Sequence, residues 1–299
     1  MTQQEDLKRK LEAAGLTLKY RLGQNFLADR ALTRSLAGFA GVTPGDAVLE
    51  IGPGAGALSQ ALLDAVAPDG MVVAYEIDQE LKPLLQDLAA RYPAFQFELQ
   101  DAVKVNFSQD FLNRIDQRPY RIAANLPYYL TSKLMEKCLC ELPQAKSMAF
   151  MIQEDVLERL VDQGAKKQAG PLTALMQSYG TLHIAKHIPA TAFYPRPRVN
   201  SAFIVLRAYN QANNLQPQAA ALLRQEPLKW QSFLHSCYRQ RRKTLVNNLK
   251  NTNLNGKYRL DADKVKTTLQ NLSLREDSRA ENLDPDELAQ MYQRLTAAI

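Results

Sequence analysis

The segment that most constrains this chain is residues 47–57, where the short run Ala47-Val48-Leu49-Glu50-Ile51 leads straight into Gly52-Pro53-Gly54-Ala55-Gly56-Ala57. A brief, branched, largely apolar run bounded by a turn signal reads as a strand buried on both faces. The glycines after it let backbone turn sharply and approach a ligand closely, because they lack the Cβ that would collide. The same rhythm returns at Met71–Tyr75, Gln96–Leu99 and Arg121–Ala124, with helical patterns over Ala57–Val66 and Gln79–Arg91 between them. Two later runs, Ser147–Ile152 and Ala202–Leu206, add strands on the far side. Strands alternating with amphipathic helices make βαβ units, so the fold class is α/β with a mostly parallel central sheet.

That rhythm stops around Tyr209–Gln218, where Asn, Gln, Ala and Pro take over. The remainder reads as helices without a convincing strand, which divides the chain into residues 1–208 and a small all-helical domain at 209–299. Charge is divided as well. The first 207 residues carry 23 basic and 22 acidic side chains, the rest 14 and 9, and Lys229–Lys266 holds ten basic residues against two acidic ones. Such a concentration suits a polyanion such as nucleic acid better than a small neutral ligand, although a solvated helical face has the same composition. The segment Asn247–Asn255 reads as a polar loop.

No apolar run is long enough to span a bilayer, and Met1–Gly15 lacks the apolar core of a secretory signal. Three cysteines, Cys138, Cys140 and Cys237, have no zinc-site spacing and read as reduced thiols. These features point to a cytoplasmic protein with no metal site.

The glycine turn alone is ambiguous, since Gly52, Gly54 and Ala57 also satisfy the dinucleotide pattern. Glu76 directly follows the second strand, where a carboxylate accepts hydrogen bonds from ribose hydroxyls. Asp101 follows the third, within reach of an adenine amine. Each alone reads better as a cap or turn carboxylate; three such features in register at successive strand ends reverse that judgement and indicate a nucleoside cofactor.

The sequence after the fourth strand, Asn125-Leu126-Pro127-Tyr128-Tyr129, narrows the choice. An Asn-x-Pro-aromatic turn at that edge suits methylation of an amino group conjugated with a planar ring. Such a nitrogen is a poor nucleophile, so a site must favour its tetrahedral form and hold it in line with a methyl donor. The Asn125 side-chain carbonyl and the Leu126 backbone carbonyl are the expected acceptors, with Pro127 restricting the residue before it to an extended conformation. Tyr128 is expected to stack on the base. No protein base is required, since the nitrogen becomes acidic after attack, and His183, His187 and His235 read as structural or surface residues. A second aromatic, Phe193, precedes Tyr194-Pro195-Arg196-Pro197-Arg198. It is expected against the other face of the base, with core packing as the competing reading, and Arg196 and Arg198 are placed to meet phosphates.

With these residues in place, the chain resembles the bacterial small-subunit (16S) ribosomal RNA adenine-N6,N6-dimethyltransferases, a family of Rossmann-like class I methyltransferases. The resemblance runs over nearly the whole sequence: Leu22-Gly-Gln-Asn-Phe-Leu27, Glu50–Gly54, Glu76, Asp101, Asn125–Tyr129, Phe193–Val199 and Arg241-Arg242-Lys243-Thr244-Leu245. It implies S-adenosyl-L-methionine as cofactor, contacted by Gln24, Asn25, Leu27, Gly52, Gly54, Glu76, Asp101 and Asn125. It also implies dimethylation of two adjacent adenines near the 3′ end of 16S rRNA in an assembling small subunit, with Arg241, Arg242 and Lys243 on RNA phosphates. A monomer is expected. The chain departs from the family in having Asn200 where Asp is usual and Ala169-Gly170 where an aromatic-Gly pair is usual.

Three rivals remain. A macrolide-resistance-type methyltransferase acting on large-subunit RNA would share every site, and the long C-terminal domain argues against it. A non-catalytic assembly factor would keep the fold without the chemistry. A nicotinamide dehydrogenase leaves Asn125–Tyr129 unexplained.

Overall fold

The computed structural model describes residues 3–16, 24–161, 170–209, 217–254 and 258–297. Its centre is a seven-stranded sheet of β1 (Ala47–Ile51), β2 (Met71–Tyr75), β3 (Phe95–Glu98), β4 (Tyr120–Asn125), β5 (Ser147–Gln153), β6 (Gly180–Ile188) and β7 (Ser201–Ala208), in the order β3-β2-β1-β4-β5-β7-β6. The first five lie parallel, and β7 runs antiparallel to β5, pairing Ser147 with Arg207 and Gln153 with Ser201.

Every residue of β1 and β2 is buried, as a strand covered on both faces requires. On one face Val48, Val72, Ala74 and Ala123 join Leu62 of α3 (Ala57–Val66) and Leu36 of α2 (Arg30–Phe39) in one apolar cluster. Tyr75 instead meets Phe107, ring centroids 5.6 Å apart. The strand β6 went unread in the sequence because its side chains are mostly exposed, with Thr181, His183, Lys186 and His187 interrupting the apolar rhythm.

The strand order reverses at β1, whose neighbours β2 and β4 are reached by connections running opposite ways. The crevice opened at the carboxyl ends of such strands is where α/β sheets bind ligands. All the strand-end motifs of the sequence meet there.

The chain folds into two compact units. One comprises Met1–Lys137, Ala145–Leu157 and Leu182–Arg207; the other comprises Cys138–Gln144, Glu158–Thr181 and Ala208–Ile299. One of these crossings, between Arg207 and Ala208, lies one residue before the cut expected after residue 208, and the second unit also draws on two earlier segments. Its core is aromatic: Trp230 on α9 (Pro227–Cys237) packs 5.7 Å from Phe233 and 5.9 Å from Tyr292, and its indole nitrogen donates to Ser178 Oγ. Two readings of this region change. It is not all-helical, because Asn253–Leu254 pairs with Tyr258–Arg259, a ladder too short to leave an alternating pattern. The segment Asn247–Asn255 is not wholly a loop, since Asn247 and Asn248 belong to α10 (Leu245–Leu249), capped by Thr244; Asn255 lies outside the described residues.

Candidate active site

A cleft, partly open to solvent, lies along the carboxyl edge of β1, β2, β3 and β4. Gly52, Gly54, Glu76, Asp101, Asn125 and Pro127 line it, together with Gln24, Asn25 and Leu27 from the segment before α2. Leu22 and Gly23 of the same motif lie outside the described residues.

The glycine turn explains its own composition. Gly52 and Gly54 have φ of +71° and +56°, and a Cβ on Gly54 would stand 2.9 Å from the Phe26 ring. Conformation and close packing both demand glycine there. No side chain caps the helix α3 that follows, so the amides of its first turn keep no partner from a capping residue.

Glu76 is buried at the end of β2 and accepts hydrogen bonds from the backbone amides of Gly54 (3.1 Å) and Asp78 (2.9 Å). Burial pushes its carboxyl above the ordinary carboxylate range, and those amides oppose the rise. Asp78 caps the turn Gln79–Leu81 and accepts from the Gln24 amide, which ties the Gln24–Leu27 segment to the end of β2. At the end of β3, Asp101 Oδ1 accepts from the Val103 amide at 3.0 Å. The apolar residues Ile77, Leu81, Ala102 and Val103 line the cleft with the two carboxylates. These were missed in the sequence; their signal is adjacency to acidic residues at strand ends.

Glu50, one position before Ile51, is 1% exposed, with its Oε2 unpartnered among the described residues. Burial, with a lesser contribution from the Glu76 charge, pushes its pKa up to about 8.

At the other end of the cleft the Asn125 amide nitrogen donates to the Asn25 carbonyl at 3.1 Å. A carbonyl can only accept, so this contact fixes which end of the amide is nitrogen and leaves the Asn125 oxygen as the acceptor. Leu126 is buried, and Pro127 is extended at φ −62°, ψ 130° before the tight turn Tyr128–Leu130. Tyr128 is half-buried, its hydroxyl 3.4 Å from that of Ser201, and is not among the residues lining the cleft. Of the two adjacent tyrosines, Tyr129 is the one that lines the cleft, where Phe26 and Tyr75 also contribute.

Of the two readings of Phe193, the structure has the ring in the core-packing position. It is 1% exposed and belongs to the apolar cluster of the sheet, not to the cleft. Phe193–Tyr194 pairs antiparallel with Phe26–Leu27, and alternation along that ladder turns Leu27 and Phe193 into the main core. Phe26 instead packs with Leu7 and Leu11 of α1 (Gln3–Ala13), with Tyr194 against them.

Asn200 holds the start of the preceding turn, where its Oδ1 accepts from the Ala190 amide at 3.1 Å. That contact needs an oxygen, which Asn and Asp both supply. Of the other departure, Ala169 lies outside the described residues, and Gly170 directly precedes α7 (Pro171–Tyr179). Arg196 and Arg198 are exposed.

In the second unit Arg241, Arg242 and Lys243 are exposed between α9 and α10. Asn248, 2% exposed, shapes that loop: its amide donates to the carbonyls of Cys237 and Gln240, its oxygen accepts from Gln240 N, and its backbone carbonyl accepts from Arg239. Nothing in the sequence separated this asparagine from its neighbours. His187 pairs with Glu154 at 3.1 Å, and no histidine lines the cleft. Among the described residues no cluster of His, Cys, Asp and Glu could hold a metal ion, and no helix is long and apolar enough to cross a membrane.

Residues 15–296 match the family model described as ribosomal RNA adenine dimethylase. A protein of Anoxybacillus flavithermus named ribosomal RNA small subunit methyltransferase A is 32% identical over 289 residues, 96% of this chain and 94% of its own. One of the same name from Lactobacillus johnsonii is 35% identical over 240 residues, covering 78% and 77%. A solved structure of a dimethyladenosine transferase from Plasmodium falciparum superposes with a TM-score of 0.69 at 20% identity, covering 91% of this chain and 98% of that one, which shows a shared fold.

Proposed function

Since the chain belongs to the ribosomal RNA adenine dimethylase family, we propose that it transfers methyl groups from S-adenosyl-L-methionine to N6 of two adjacent adenines near the 3′ end of 16S rRNA, within an assembling small subunit. The observation that carries this reading is the Asn125 amide, oriented by Asn25 at one end of a cleft whose other end holds Glu76 and Asp101.

The residues fit the cofactor. Each Glu76 oxygen already accepts one backbone amide and keeps a further lone pair for ribose hydroxyls, while Asp101 Oδ2 is left for the adenine amine. Ile77 and Leu81 offer apolar contact to the base between them, and Gly52 and Gly54 keep the turn clear of side chains. Bound there, the cofactor supplies an electrophilic methyl on sulfur.

The chain's own residues prepare the nucleophile. The Asn125 oxygen and the Leu126 carbonyl accept the two amine hydrogens, drawing the nitrogen lone pair out of conjugation with the ring. Pro127 holds that carbonyl in place. The attacked nitrogen gives its proton to water, so no side-chain base takes part. Tyr128 stacks on the target base, a role that requires its ring to turn from the position it holds beside Ser201. The second unit docks on RNA phosphates through Arg241, Arg242 and Lys243, with Arg196 and Arg198 nearer the chemistry. The enzyme works as a cytoplasmic monomer.

The test is transfer of labelled methyl to purified small subunits lacking the modification, with large subunits in parallel and digestion to nucleosides. Dimethyladenosine from small subunits alone is expected. Label in large subunits instead, or binding without label, would overturn the assignment. Arg242→Glu with Lys243→Glu should weaken subunit binding, lower its salt slope by roughly one to two, and leave cofactor affinity unchanged; equal loss of both would mean misfolding.

A further inference from the structure

Tyr129 is left over by this mechanism. It is 58% exposed, more than any other large apolar side chain among the described residues except Leu228. It lines the cleft with Leu130 and Leu134 at the Asn125 and Pro127 end, away from Glu76 and Asp101. Its ring joins no aromatic pair among the described residues, and its position at the cleft follows from the short turn that Pro127 opens. In such a turn of three residues, successive side chains diverge by about 120°. Tyr128 and Tyr129 therefore cannot lie on one face of the same base. With Tyr128 given to the target, a second base must meet the second ring.

We infer that Tyr129 is a stacking subsite for the nucleobase beside the one being methylated, a reading that rests on the proposed function. An exposed ring at a cleft mouth recognises any base through its face, so the subsite is tolerant of sequence and holds a neighbour as readily before as after that neighbour's own methylation. For one of the two target adenines that neighbour is the other target, for the second it is the nucleotide beyond the pair, and a ring tolerant of sequence serves both steps.

The test pairs Tyr129→Ala and Tyr129→Phe with small subunits assembled on RNA whose synthetic segment carries an abasic site on the 5′ or the 3′ side of a single target adenine. On intact RNA, Tyr129→Ala should raise KM about tenfold, the size of one lost base stack, with kcat and cofactor affinity unchanged; Tyr129→Phe should match wild type. On one of the two abasic RNAs, wild type should lose the same factor and Tyr129→Ala nothing further. Losses that multiply on both RNAs overturn the subsite, as does a Tyr129→Ala protein whose cofactor affinity falls by the same factor, which would return the ring to the cofactor pocket. A wild-type enzyme that labels no intact subunit overturns the functional reading and this one with it.

Discussion

Two turns in this molecule combine an aromatic residue with proline, and they end in opposite environments. Asn125–Leu130 leaves a central strand and brings Tyr129 to the cleft; Phe193–Arg198 begins in a two-residue ladder and sends Phe193 into the core. The first turn follows β4, whose end is fixed by both neighbouring strands, so residues just past it stand at the ligand edge. The second is fixed by pairing with Phe26–Leu27, and alternate residues of a strand face opposite ways. An aromatic-proline signature thus reports a rigid turn, while the backbone pairing beside it decides where the ring goes.

This contrast can be broken most directly at Phe193. Replacing it with Ala should cost about 3–5 kcal/mol of stability, read in denaturant unfolding, because a fully buried ring leaves a cavity. Stability near wild type combined with a collapse in turnover would restore Phe193 to the base and undo the comparison. Asn125→Ala should act the other way, lowering turnover roughly 10²–10³-fold through loss of one oriented acceptor, with unfolding little changed and cofactor affinity reduced at most a few-fold. Surviving turnover would remove the acceptor role. The smallest effect is expected at Asn200→Asp, which keeps the oxygen facing the Ala190 amide. Stability and turnover should stay within about 0.5 kcal/mol of wild type, and a larger shift in either would mean that charge in the second turn matters.

How much of this was legible follows the same physics. Gly52, Glu76 and Asn125 could be read from sequence because each sits at the end of a strand with a clear apolar run, and Asp101 follows a shorter, half-apolar strand (Phe95-Gln-Phe-Glu98) in the same parallel register. Phe193 could not, because its ladder is two residues long and carries no periodicity. Tyr128 and Tyr129 share a motif, and only the turn geometry separates them. The strand β6 and the pairing of Asn253–Leu254 with Tyr258–Arg259 escaped for want of an apolar pattern, and Asn248 escaped because its role is a set of hydrogen bonds to backbone that any asparagine-rich segment conceals. Segments 138–144 and 158–181 belong to the second unit through packing alone.

Glu50 gives the glycine turn a dependence on acidity. Its carboxyl is ordinary in the unfolded chain and titrates near pH 8 in the fold, where one oxygen has no partner. Folding therefore binds a proton across the interval between those values. The contribution is complete below the unfolded pKa and is lost as pH climbs through the folded one, so stability should slope downward from about pH 4.5 to about pH 8; Glu50→Gln should flatten that slope, and an unchanged slope would show the carboxyl ionised within the fold. The proton is in effect a structural ligand, held at the foot of the glycine turn, and alkaline conditions should loosen this corner of the sheet before the rest.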